Sequence, residues 1–395
     1  MPHSRLIPSD RLADVRYEIR GPLARRAAEL EKSGYEVIKL NIGNPGAFGF
    51  RAPETLRLAM IENLGASEAY CHQKGIFPAR EAVVMQQQAR GVRGVTAEEV
   101  FVGNGVSELI LLALSALLNP GDEVLVPSPD YPLWTAAVTL NGGKAIHYPC
   151  LPERGFVPDP AEVAKLVTPR TKALVIISPN NPTGAVYPQA VLQGLVDVAE
   201  QHGLVVFSDE IYDNILYEGA QHVPVATLSR RAVVGTFGGL SKVYRACGFR
   251  VGWLSFSCGA QGDKDALKPY LLALDLLASL RLCANVPGQW AVQTALGGYQ
   301  SITELTAPGG RLYQTRAAVL AGVAASPHLD VMAPQGAMYA FVRVKTDHLK
   351  APFNDQRFAL DLLERQHVLV APGTSFNVPY QDRFRITLLP DEKTM

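Results

Sequence analysis

Cysteine is scarce in this chain and follows no pattern. Its 395 residues hold five, Cys71, Cys150, Cys247, Cys258 and Cys283, an odd number with no CxxC spacing. That argues against a disulfide framework and against zinc; no metal is expected, and free thiols suit a reducing, cytoplasmic setting. Net charge is missing too, with 37 Lys and Arg against 37 Asp and Glu. Without a basic stripe or interleaved aromatics, nucleic acid is not an expected partner. Long hydrophobic runs are also lacking. The apolar stretch from Leu109 to Leu118 is too short to span a bilayer, and Met1-Pro2-His3-Ser4-Arg5 leads into no apolar signal segment. Neither a membrane nor secretion is expected. No internal repeat or low-complexity tract stands out.

The chain does have enough length for a large core and two domains, and its 48% hydrophobic content is ordinary for a globular protein. Val124-Leu125-Val126, Ala173-Leu174-Val175-Ile176-Ile177 and Leu204-Val205-Val206-Phe207 are unbroken apolar runs. Helical periodicity, as from Val191 to His202, separates them. Short continuous runs between helices read as strands covered on both faces, which predicts an α/β fold with a mainly parallel sheet. Residues 1–45 read as an extended arm followed by a helix from Leu23 to Lys32. Pro308-Gly309-Gly310 marks a break. Beyond it, helical patterns from Arg311 to Ala325 and Gln356 to Gln366 alternate with the strand-like Ala340 to Val344 and Val368-Leu369-Val370. The expected division is a large domain over 46–307 and a smaller α+β domain. Residues 1–45 supply the arm and first part of the small domain, and 308–395 supply its remainder. The small domain is expected to close over the site from one side.

Ligands of parallel sheets sit beyond the carboxyl ends of the strands. Asn181, Asp209 and Lys242 all fall just past predicted strand ends. Lys242 follows the strand-like Val233-Val234-Gly235-Thr236-Phe237 and is crowded by Gly238, Gly239 and Ser241. A Lys desolvated in such a place becomes a nucleophile toward aldehydes. Arg250, shortly after, offers a planar fork for a phosphate. An aldehyde that carries a phosphate is pyridoxal phosphate (PLP). Taken alone, this segment reads equally as a surface turn.

Other stretches bear on the choice. Gly103-Asn104-Gly105-Val106-Ser107 follows a strand-like run and opens an apolar helix, whose unpaired N–H groups can meet an anion. Gly105, Val106 and Ser107 are therefore candidates for a phosphate cradle, though a plain helix start explains them as well. Glu108 stands where a dinucleotide fingerprint needs its last Gly. Pro179-Asn180-Asn181-Pro182-Thr183-Gly184 is a rigid turn that aims an Asn amide, and turn chemistry alone also accounts for it. Asp209 ends a buried strand, where a carboxylate is costly without a partner. A pyridinium nitrogen is such a partner, and it makes the ring an electron sink. Tyr212 can reach the phenolic oxygen of the same ring, and Tyr131 can stack on its face.

Asn181-Pro182-Thr183-Gly184, Asp209-Glu210-Ile211-Tyr212, Ser241-Lys242 and Gly248-Phe249-Arg250, in this order and spacing, resemble the PLP-dependent aminotransferases of fold type I, class I/II. The resemblance runs from Tyr17 to Pro390. Tyr17-Glu18-Ile19-Arg20-Gly21-Pro22, Leu40-Asn41-Ile42-Gly43-Asn44-Pro45, Asp130-Tyr131-Pro132-Leu133-Trp134 and Arg281-Leu282-Cys283-Ala284-Asn285-Val286-Pro287 look like the bacterial alanine aminotransferase (glutamate–pyruvate transaminase) subgroup. The resemblance implies a large domain with a mainly parallel seven-stranded sheet sandwiched by helices, plus a smaller α+β domain. It implies that Lys242 binds the cofactor's aldehyde and then shuttles a proton between the substrate's Cα and the cofactor. Asp209 pairs with the ring nitrogen; Asn181 and Tyr212 bind the phenolic oxygen. Arg250, with Gly105, Val106, Ser107 and Ser241, holds the phosphate. Tyr70 reaches the phosphate of a neighbouring subunit, which implies a homodimer with shared sites. Arg385 clamps the substrate carboxylate, with Asn181 beside it, and Gly43 lets the N-terminal strand approach closely. Tyr17 and Arg20 are candidates for closure and for the distal carboxylate of glutamate.

Two departures from the family pattern stand out. Many relatives carry Ser where Gly239 stands, which puts more of the phosphate on Ser241, Ser107 and Arg250. The sequence also ends soon after Leu389-Pro390, where the family usually continues into a last helix. The expected reaction is ping-pong transfer of an amino group between L-alanine and 2-oxoglutarate. Branched-chain or aromatic substrates, and a C–S lyase using the same Lys and Asp, are the alternatives. A non-catalytic regulator needs a DNA-binding domain ahead of the fold, for which the short arm leaves no room.

Overall fold

The unbroken apolar runs do become strands, and their alternation sorts them into two cores. The computed structural model describes residues 7–13, 15, 21–349 and 352–395. The first strand, β1 (Ile38–Lys39), stays outside the main sheet. The next seven form it: β2 (Val100–Gly103), β3 (Glu123–Ser128), β4 (Lys144–Pro149), β5 (Thr171–Ile177), β6 (Val205–Asp209), β7 (Val234–Gly239) and β8 (Gly252–Ser257). Their spatial order is β2-β8-β7-β6-β5-β3-β4. The pairs β3–β4, β3–β5, β5–β6 and β6–β7 are parallel. Only β8 runs against its neighbours, β7 and β2. The expected mainly parallel seven-stranded sheet is therefore present.

Successive strand residues point to opposite faces. Leu125, Leu174, Ile176, Val206 and Val234 join one core, with Val83 and Leu195 from the helices Phe77–Ala89 and Gln189–His202. Val124, Val126, Ala173, Val175, Ile177 and Phe207 join the other, with Leu109, Leu114 and Leu274 from Val106–Leu117 and Lys264–Leu280. Helices thus cover both faces, as buried parallel strands require.

The remaining strands are β9 (Leu329–Val331), β10 (Tyr339–Val344), β11 (Val368–Leu369), β12 (Ala371–Pro372) and β13 (Arg383–Thr387). Four of them make an antiparallel sheet in the order β12-β13-β10-β9, and β11 pairs in parallel with β1. Leu40 shares a core with Val319, Val342, Ala359 and Ile386, and Leu30 packs with Leu363 and Leu369. The N-terminal segment and the C-terminal elements therefore pack as one body of structure. The helices here are Pro22–Lys32, Arg311–Ala325 and Asp355–Gln366, each within two residues of its sequence-based bounds. Near the end of the chain, Thr315 Oγ1 donates to Pro390 O across 2.8 Å, and Met395 packs on the small core.

Candidate active site

The register brings three candidate residues to one edge of the sheet. Asp209, last in β6, lies opposite Ile177 at the end of β5 and Phe237 near the end of β7. Asn181 and Lys242 follow those two strand ends within a few residues. The β3 end leads to Tyr131, and β2 leads through Gly105 to the helix starting at Val106. Beyond this edge is a cavity of about 510 Å³. It is lined by Gly43, Val106, Ser107, Tyr131, Asn181, Asp209, Tyr212, Ser241, Lys242, Arg250 and Arg385. Of the other candidates, Gly105 lies directly behind Arg250, and Tyr70 is 77% exposed and does not line the cavity. Tyr17 and Arg20 lie outside the described residues.

Each side chain is held by identifiable contacts. Lys242 Nζ donates to Gly43 O across 2.7 Å, so the N-terminal segment does reach the site. Asp209 is buried and accepts from Trp134 Nε1 at 3.1 Å and, at 3.4 Å, from the Ile211 backbone N–H. Burial pushes its carboxyl up to about 6, against the pull of those donors and of Lys242. The neighbouring Glu210 adds to the rise. Burial also works against ionising Glu210, but His222, 3.0 Å away, and Arg90 overcome it and hold that carboxyl below its usual value.

Arg385 comes from β13 and is almost fully buried. Its Nη1 donates to Asn181 Oδ1 at 2.9 Å and its Nη2 to Asn41 O. Its guanidinium lies over the rings of Tyr339 at 4.4 Å and Phe376 at 4.8 Å. Because Asn181 uses its oxygen this way, its amide NH₂ is left to donate elsewhere. The turn bearing Asn181 is fixed from the other sheet: Gln335 N and Gly336 N both donate to Gly184 O at 2.9 Å. A Cβ at Gly184 would strike Pro334, which explains the glycine.

Arg250 donates to Cys247 O at 2.8 Å and Asn104 O at 3.1 Å, beside the start of the Val106–Leu117 helix. Gly105 has φ +89°, and a Cβ there would run into the Arg250 guanidinium. The cradle formed by Gly105, Val106, Ser107, Ser241 and Arg250 thus needs that glycine. Sequence reasoning gave no role to Tyr339, Trp134 or Cys247. Tyr339 and Cys247 line the cavity, and Trp134 binds Asp209. Trp134 stood within a quoted motif, but no spacing rule connects it with Asp209.

The donor set fits PLP. A cationic, N–H-rich cradle lies at one side for a phosphate. A buried carboxylate held only by neutral donors suits a pyridinium. A lysine amine opens on the same cavity for an aldehyde, and Asn181 and Tyr212 can donate to a phenolic oxygen. The family model of class I and II aminotransferases matches residues 35–395. The chain belongs to this family. It is 49% identical over 382 residues to the glutamate–pyruvate aminotransferase AlaA of Escherichia coli (strain K12), covering 97% of this chain and 93% of that protein. It is 45% identical over 383 residues to an alanine aminotransferase of Mycobacterium tuberculosis, covering 97% and 88%. Its fold matches a crystal structure of an aminotransferase from Escherichia coli with a TM-score of 0.95 and 48% identity, covering 99% and 95%. Aminotransferases of class I and II use PLP, and this chain is a PLP-dependent aminotransferase of fold type I.

Proposed function

We propose that the chain moves an amino group between L-alanine and 2-oxoglutarate by a ping-pong reaction, as a cytoplasmic homodimer. The observation that carries this reading is the placing of Lys242, Asp209 and Arg385 around one cavity. The names of the relatives point to alanine and glutamate as the pair. Bound PLP supplies an electron sink for the pair of electrons left when the substrate loses its Cα proton.

The chain's own residues do the rest. Arg385, stacked and hydrogen-bonded before substrate arrives, offers its fork to the α-carboxylate. That fixes the Cα–H bond in reach of one base and lowers the entropy cost of reaction. The Lys242 amine would hold the cofactor's aldehyde and, when free, act as the general base that takes the substrate's Cα proton and then, as the acid, passes that same proton on. Asp209 would accept a hydrogen bond from the ring nitrogen and keep that nitrogen protonated. Asn181 and Tyr212 would donate to the phenolic oxygen. Arg250, Ser107 and Ser241, with the backbone of Gly105 and Val106, would anchor the phosphate. For the distal carboxylate of glutamate the candidate donor is Arg20, beside Tyr17.

The dimer reading draws support from one surface. Leu272, Leu276 and Leu280 repeat every fourth residue along a helix and are each at least 62% exposed. Exposed apolar stripes of this kind mark interfaces. Tyr70 is the side chain expected to cross to the neighbour's phosphate. The pairing of β1 with β11 supports reading residues 1–45 and 308–395 as one small domain around 46–307. Five free thiols suit the cytoplasm, and no helix among the described residues is long and apolar enough to cross a membrane.

The test is the visible spectrum of the purified holoprotein. L-alanine should bleach the yellow band, and 2-oxoglutarate should restore it. A band that ignores alanine but answers another amino acid would keep the reaction and discard the substrate.

A further inference from the structure

The hydroxyls of Tyr212 and Tyr339 lie 3.0 Å apart, and both side chains are buried. Tyr212 follows a strand of the large sheet. Tyr339 opens β10 of the smaller one, 127 residues later in the chain. Tyr339 also lies under the Arg385 guanidinium, at 4.4 Å. The register explains that contact. Tyr339 pairs with Thr387 and Phe341 with Arg385, so Tyr339 and Arg385 are diagonal neighbours on adjacent strands. A third contact ties it to the N-terminal segment. A Cβ on Gly43 would land on the Tyr339 hydroxyl, and the Gly43 carbonyl accepts from Lys242.

We infer that Tyr339 is a positioning residue for transamination, its ring seating Arg385 and its hydroxyl orienting the Tyr212 hydroxyl toward the cofactor. This rests on the proposed role of the site. A hydroxyl has one hydrogen to give. If Tyr212 gives its hydrogen to the phenolic oxygen, Tyr339 must be the donor within the pair. A hydroxyl that accepts one hydrogen bond donates a stronger one. Tyr339 therefore strengthens the Tyr212 bond without touching the phenolic oxygen. The other side chains whose charge bears on Tyr212 are Tyr131 and Arg385. Neither substitutes for Tyr339, since Tyr131 follows β3 and Arg385 is engaged with Asn181. Through Tyr339, the strand that carries the substrate's carboxylate clamp is linked to the group that tunes the cofactor.

The two halves of the role separate by substitution. Tyr339→Phe keeps the ring and removes the hydroxyl; Tyr339→Leu removes both. The first readout is the pH at which the visible band of the lysine-bound cofactor changes colour. Donation to the phenolic oxygen draws electrons from the ring and lowers the basicity of the nitrogen that Lys242 contributes. Weakening that donation should move the transition up. The expected shift is about 0.5–1 pH unit for Tyr339→Phe, and larger for Tyr212→Phe. In a Tyr212→Phe background, Tyr339→Phe should add no further shift. The second readout is the KM. Tyr339→Leu should raise KM for alanine and glutamate together by about 3- to 10-fold, and Tyr339→Phe should leave both near the parent. The inference is overturned if Tyr339→Phe leaves the transition in place, or if its shift persists unchanged without the Tyr212 hydroxyl. A parent protein that takes up no cofactor band at all would instead bring down the proposed function, and this inference with it.

Discussion

The indole Nε1 of Trp134 donates to Oδ2 of Asp209 across 3.1 Å, with both side chains buried. Asp209 therefore keeps a neutral partner on one oxygen, and in the proposed reaction the same carboxylate serves the ring nitrogen. Trp134 is itself locked by Phe207 and Phe237, at ring distances of 5.9 Å and 5.3 Å. Trp134→Phe would keep those packing contacts and delete the donor. A hydrogen bond to a charged group contributes about 1.5–3 kcal/mol. Without it Asp209 becomes more basic and competes for the proton it should leave on the ring. We expect kcat to fall about 10- to 100-fold, with KM almost unchanged because Arg385 is untouched. Steady-state kinetics decide the matter; an unaltered kcat would mean that this bond has no part in catalysis.

The same carboxylate gives a pH prediction for the cofactor-free protein. Burial raises Asp209 to about 6, above the ordinary carboxylate value it has when unfolded. The native state then holds the proton more tightly than the unfolded chain. Its contribution to stability is full below about pH 4 and is lost as pH rises through about 6, a loss of about 3 kcal/mol. A pyridinium in the site reverses that loss by favouring the carboxylate. The cofactor should therefore stabilise the protein more at pH 8 than at pH 5. Thermal unfolding with and without PLP at both values measures it, and an equal gap would refute it. Asp130, raised by burial to about 7, adds a similar trend that Asp209→Asn should leave in place.

The sequence made the sheet legible where a buried strand is an unbroken apolar run. It hid β4, whose Lys144 and Pro149 are exposed and whose middle carries His147. It also hid β8, which is buried throughout but has its apolar run broken by Gly252, Ser255 and Ser257, and the helix Lys264–Leu280, which carries Pro269 inside. The site divided in the same way. Lys242, Asp209 and Asn181 were readable because each lies at or just past a strand end. Tyr339 was not, since it begins a strand of the smaller sheet and reaches Tyr212, Gly43 and Arg385 only through tertiary packing that no local spacing announces. Gly43 was read as a close approach to substrate, and the structure adds a second reason for it in the Tyr339 hydroxyl.

That second reason is testable. In Gly43→Ala the new methyl would occupy the place of the Tyr339 hydroxyl. Either the N-terminal segment or the tyrosine must shift, at a cost of about 1–3 kcal/mol. Stability should drop, and the colour transition of the bound cofactor should move in the same direction as in Tyr339→Phe. Adding Tyr339→Phe to Gly43→Ala should recover part of the lost stability. Chemical denaturation of the four proteins checks this; simple additivity would rule out the clash.

Arg385→Lys tests the clamp. Lys keeps the charge but loses the two-pronged geometry and the stacking between Tyr339 and Phe376. Alanine and glutamate share the α-carboxylate, so KM should rise for both by a similar factor, about 10- to 100-fold. Unequal effects would indicate that Arg385 reads the side chain instead.

The exposed stripe Leu272, Leu276 and Leu280 predicts how assembly and activity are linked. A stripe that packs against its own copy tolerates no unpaired charge, because burying one costs several kcal/mol. Leu276→Glu should raise the dimer dissociation constant at least about 100-fold, visible by light scattering on a sizing column. The monomer would keep Lys242, Asp209 and Arg385 in place, since none of their contacts described above involves this helix. It would lose Tyr70 from the neighbour, so PLP should bind more weakly and the loss should track the monomer fraction. A Leu276→Glu protein that stays dimeric with unchanged PLP affinity would move the interface to another face.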